Sequence, residues 1–113
     1  MSEIRDENSL SPITPREQKM YEQEYKHGAQ LFQKALEQYH KSDNPYQQEE
    51  FHGVMDKAMN VLNETAKALS RQHLLDQNTK IKQDYVAFDK APGDAQVFDA
   101  LKHDLEQAKK SIS

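Results

Sequence analysis

Apolar and small residues recur along the chain with a helical rhythm. Tyr21, Tyr25, Gly28, Phe32, Ala35 and Tyr39 follow one another at spacings of 4, 3, 4, 3 and 4. Phe51, Met55, Ala58, Leu62, Thr65 and Leu69 repeat the pattern after a short polar turn, Ser42-Asp43-Asn44-Pro45. A 3/4 alternation keeps these side chains on one side of an α-helix, whereas a strand needs a period of two. Two such seams joined by so short a turn predict an antiparallel helical hairpin.

Local signals fix where these helices begin. Thr14-Pro15-Arg16-Glu17 has the form of a capping box, with hydroxyl at N-cap, proline at N1 and glutamate at N3. Asn44-Pro45-Tyr46-Gln47 repeats the device. Helix 1 is therefore expected over 15–41 and helix 2 from Pro45 to at least Leu69. Gly28 lies on the first seam, where its helix cost of about 1 kcal/mol makes sense if a neighbouring helix crosses closely. If the second seam is core, alanine at Phe51 or Leu62 should cost about 2–5 kcal/mol.

Beyond Leu69 the register changes. Leu74, Leu75, Ile81, Tyr85 and Phe88 form a new apolar set, and Asp76-Gln77-Asn78-Thr79 can compete for backbone hydrogen bonds, so the chain is expected to break or kink there, the alternative being a helix that runs through 70–80 with a stutter. Ala91-Pro92-Gly93-Asp94 ends that segment. A last helix follows to about Lys110, with Phe98, Leu101, Leu105, Ala108 and Ile112 spaced 3, 4, 3 and 4. The expected fold is all-α, a bundle of three to four helices built on the long hairpin. Residues 1–13 are polar and aperiodic and read as a disordered tail before a single domain at 14–113.

Composition alters this picture in one respect. Leu, Ile, Val and Phe together number 21 of 113 residues, about 19%, which is thin for a core. A partner or a second copy would supply the missing burial. Net charge is −4, and no segment is basic enough to follow a phosphate backbone, so nucleic acid is not an expected partner. No apolar run approaches the roughly 20 residues of a membrane span. The sequence holds no cysteine, which fits a reducing compartment, and the N-terminus lacks a signal-peptide pattern. The expected location is cytoplasmic.

Candidate chemistry is sparse. Glu49 and His52 stand at i, i+3, the spacing of ligands in carboxylate-bridged di-iron bundles, but those sites need two such pairs and two further glutamates. Glu49 falls about 160° from Phe51 by the helical turn, hence toward solvent. His103, between Asp99 and Glu106, reads as a surface charge cluster, and His27 and His40 lie off the seam. Nucleophile elbows and phosphate loops are absent, since Gly28, Gly53 and Gly93 are isolated. No enzyme, cofactor or metal is expected; a metal or acid–base enzyme using Glu49, His52 or His103 is the remote third reading.

Over about twelve residues, the spacing of Tyr25, Gly28, Phe32, Ala35 and Leu36 is similar to the second helix of a tetratricopeptide unit. The Gly and Tyr of that unit's first helix are missing upstream, so the family is not carried over. The turns at Asn44-Pro45 and Pro92-Gly93-Asp94, each leading into a helix, loosely resemble the turn in needle and rod subunits of bacterial secretion systems. The leading reading is a non-enzymatic interaction module, an adaptor, assembly factor or secretion-type chaperone, docking a protein partner by helix packing. Tyr21, Tyr25, Phe32, Tyr39, Phe98, Leu101 and Leu105 are the expected contact residues. The alternative is a structural subunit that assembles with copies of itself.

Overall fold

The computed structural model describes residues 13–112. The tail expected at 1–13 lies outside the described residues except for Ile13, which is half-buried against the core. Four helices follow, α1 (Pro15–Lys41), α2 (Pro45–Leu69), α3 (Gln72–Lys90) and α4 (Ala95–Lys110), and the described residues contain no strand. The fold is a small all-α bundle. No helix among the described residues is long and apolar enough to cross a membrane.

Both expected caps form. The Thr14 hydroxyl accepts from the Glu17 amide at 3.1 Å, and the Thr14 amide donates to Glu17 Oε1 at 3.0 Å. These bonds satisfy two groups that the helix start would otherwise leave orphaned. Asn44 Oδ1 accepts from the Tyr46 and Gln47 amides, and Asp94 Oδ1 caps α4 in the same way from Gln96 and Val97.

The expected break at Asp76–Thr79 is wrong. α3 runs continuously through those residues, and the chain turns earlier, at Ser70, which adopts φ 54°, ψ 38° and donates its amide to Ala66 and Lys67. The reason lies in where the polar side chains go. Asn78 bonds across the bundle, Gln77 donates to the Asp104 carbonyl, Gln72 donates to Asp76 and Thr79 bonds the Leu75 carbonyl. None is left to compete for the helical backbone.

α1 and α2 form one closely packed layer; α3 and α4 form the other, with α4 beside α1 and α3 beside α2. The diagonal pair α1 and α3 meets through aromatic edges, Phe32 on Tyr85 at 5.1 Å between ring centroids and Tyr39 on Phe88 at 5.4 Å. Such geometry suits the ring quadrupoles. Gly28 sits where α1 crosses α2, and a Cβ there would stand 3.0 Å from Val61 Cγ1. The close approach that its seam position implied is present. Gly53 faces open space, and nothing in the structure explains it.

Candidate functional site

The expected contact residues divide by burial. Tyr25, Phe32, Leu101 and Leu105 are fully buried, while Tyr21, Tyr39 and Phe98 are half-buried against the same core. The four fully buried residues are core and offer no docking surface. Counting only Leu, Ile, Val and Phe understated this core. Ala29, Ala35, Ala58, Ala66 and Ala108, with Met55, Met59 and Tyr85, fill positions that four residue types alone could not.

Three polar groups sit in that core, and each lies on an apolar stripe by helical spacing. Asn78, between Leu74 and Ile81, accepts from Tyr25 Oη at 2.9 Å and donates Nδ2 to the Leu62 carbonyl at 2.8 Å. One amide thereby ties α1, α2 and α3 together. Burial pushes the Tyr25 hydroxyl well above its ordinary range, which keeps it a donor. Thr65 bonds back to the Val61 carbonyl at 2.7 Å.

Asp104 is the third buried polar residue, and it meets Asp84 of α3. Burial, followed by the neighbouring Asp104 carboxyl and its charge, raises the Asp84 carboxyl to about 7, with Lys80 opposing. Asp84 Oδ2 is buried without a hydrogen-bond partner, and a proton on Asp84 relieves its repulsion from Asp104 across the α3–α4 contact. Because the folded value lies above the unfolded one, the contact is at full strength near pH 4 and is lost as pH rises through 7. Asp84→Asn keeps a donor without the charge. It should stabilise the fold at pH 8 by about 1–2 kcal/mol, after discounting for partial exposure, and change little at pH 5. Denaturant unfolding at both values checks this, and an unchanged pH profile would remove the pair as its cause.

The histidines separate as well. His52 lies between carboxylates, with Nε2 2.8 Å from Asp89 Oδ1 and Nδ1 3.5 Å from Asp56 Oδ2. Tyr85 Oη donates to Asp56 Oδ1 at 2.6 Å. Burial first, then this bond, drives the phenol far above its ordinary range. The two ring nitrogens point to different acids, so the cluster braces α2 on α3 and presents no shared coordination point. Glu49 is exposed and takes no part. Among the described residues no group of three or more His, Asp or Glu is placed to hold a metal ion. His40 is exposed while stacking on Phe98 at 4.2 Å, and His27, His73 and His103 are exposed as well. Glu106 turns away from His103 and accepts from Gln33 at 3.0 Å, which with Lys109 holds its carboxyl below the usual range.

Four large apolar side chains stand exposed among the described residues, Met20 and Leu31 on α1, Tyr46 at the start of α2 and Val86 on α3; Met20 and Leu31 share the outer face of the α1–α2 layer, turned away from α3 and α4. Along α1, residues Glu17, Met20, Glu24, His27, Leu31, Lys34, Gln38 and Lys41 are all exposed and repeat at 3 and 4, a second stripe beside the buried seam. Met20 and Leu31 keep 46% and 37% of their surface in water. Two of the shallow hollows on this face lie beside the exposed apolar residues. Met20, His27 and Val61 bound one, and Leu31, Ala35, Gln38, Phe51 and Val54 bound the other. Sequence reasoning passed over this stripe because charged residues dominate it; the signal available was its unbroken 3/4 spacing. No family model matches the chain, and no curated protein or solved structure matches it.

Proposed function

We propose that the chain is a non-enzymatic interaction module whose docking surface is the outer face of the α1–α2 layer. The observation that carries this is the second stripe on α1, which leaves Met20 and Leu31 in water beside the half-buried Phe51, Val54 and Val61 of α2. Apolar positions at helical spacing between two helices form a groove that accepts the apolar side of a third helix. Charged residues along its rim supply orientation. The occupant would be an amphipathic helix, and an adaptor or assembly role follows from that. The proposed location is the cytoplasm, whose reducing conditions suit a sequence that holds no cysteine.

A photoreactive amino acid at Leu31 tests the reading in the protein's own cells. Cross-links are expected to map to an amphipathic helix of the captured protein and to be missing from the same probe at Lys82 on the opposite layer. Equal labelling from both positions, or none from Leu31, would overturn it.

A further inference from the structure

We infer that the helix-bearing partner of this face is a second copy of the chain, stacked on it about a two-fold axis with the two α1 helices antiparallel. The inference rests on the docking surface proposed above. It is carried by the charge order of the stripe, which is complementary to its own reverse. In an antiparallel pair centred on residue 29, Glu17 meets Lys41 of the other copy, Glu24 meets Lys34, Met20 meets Gln38 and His27 meets Leu31. Every acid then faces a base. Leu31 of each copy falls at the hollow bounded by Met20, His27 and Val61, and Met20 at the hollow bounded by Leu31, Gln38 and Phe51.

The same axis is consistent on α2. Gly28 stands level with Val61 at the helix crossing, so the axis that passes residue 29 of α1 passes between Asn60 and Val61 of the antiparallel α2. Val61 then lies within one residue of its own copy, and the exposed Lys57 lies across from the exposed Glu64. Other arrangements fail on charge. Parallel α1 helices would set Glu24 on Glu24 and Lys34 on Lys34. Laying α1 over α2 of the copy would bring Glu24 level with Glu64. Like charges at close approach oppose both.

The area is sufficient. A helix of 27 residues is about 40 Å long, and two helices side by side are about 20 Å wide. About the axis, α1 overlaps its copy over 17–41 and α2 over 52–69, which gives about 640 Å² per copy, at the lower end of a standard specific interface. Exposed ion pairs add little affinity, so the apolar contacts set the strength and the charges set the direction.

Charge reversal tests this without touching the core, because every residue involved is exposed. Sedimentation equilibrium of the full chain should show a monomer–dimer equilibrium. Glu24→Lys alone and Lys34→Glu alone should each weaken it by about tenfold or more, with helix content unchanged and with melting unchanged at concentrations where all three are monomers. Mixing the two single variants should restore a dimer containing one of each, and the double variant should dimerise like the parent. A parent that stays monomeric at millimolar concentration would overturn the inference, as would single variants that associate normally or a mixture that stays apart. Monomeric parent protein with Leu31 cross-links to a different protein would sink the self-pairing alone. Loss of all Leu31 cross-links would sink the docking face with it.

Discussion

Asn78→Ala should destabilise the bundle by about 2–4 kcal/mol, out of proportion to the atoms removed. The substitution leaves Tyr25 Oη without its acceptor in a fully buried position and takes Nδ2 away from the Leu62 carbonyl. An unsatisfied buried hydroxyl costs about 1–3 kcal/mol beyond the lost bond, and the cavity adds to it. Tyr25→Phe alone should cost about 1–2 kcal/mol, leaving the Asn78 carbonyl oxygen short of a donor. Combining the two should cost less than their sum, by about 1 kcal/mol or more, because the second change removes the group that the first one orphaned. Denaturant unfolding of both single variants and the double variant measures this coupling. Strict additivity would mean that the two side chains do not depend on one another.

Leu62→Ala should cost about 3–4 kcal/mol and lower the melting temperature by roughly 10–15 °C. Leu62 is fully buried at the crossing where Gly28 meets Val61, and Gly28 has no side chain with which to fill the space. Phe51→Ala, which the seam pattern placed in the same range, should cost less, about 1–2 kcal/mol, since Phe51 is only half-buried at the edge of the outer face. A loss below about 1 kcal/mol at Leu62 would show that the α1–α2 crossing is not tightly packed.

The starts of α1 and α2 were legible because caps are local, and α4 opens with the same kind of local bond. Thr14, Asn44 and Asp94 bond amides two or three residues away, and a reader of the sequence can see both ends of each bond. The joint between α2 and α3 was not legible. Ser70 takes a left-handed conformation without glycine or asparagine to announce it, and Arg71 caps α3 with no side-chain bond, its guanidinium engaged with Glu22 of α1. The polar run Asp76–Thr79 looked like a joint because its tertiary partners, up to 53 positions away, are invisible to local reading. The core seams were legible as periodicity, but their role was not. Thin aliphatic content pointed to Tyr25, Phe32, Leu101 and Leu105 as surface, and burial of alanine, methionine and tyrosine beside them made them core.

The proposed function requires α1 to carry two stripes, one buried in the bundle and one exposed to take a partner. A scan of single photoreactive substitutions along α1 tests that division most directly. Cross-link yield should rise at Met20, Glu24, His27, Leu31 and Lys34 and fall at the equally exposed Lys19, Lys26 and Gln30, giving a 3/4 period offset from the core seam. A yield that is flat along the helix, or that peaks at Lys19, Lys26 and Gln30, would contradict it.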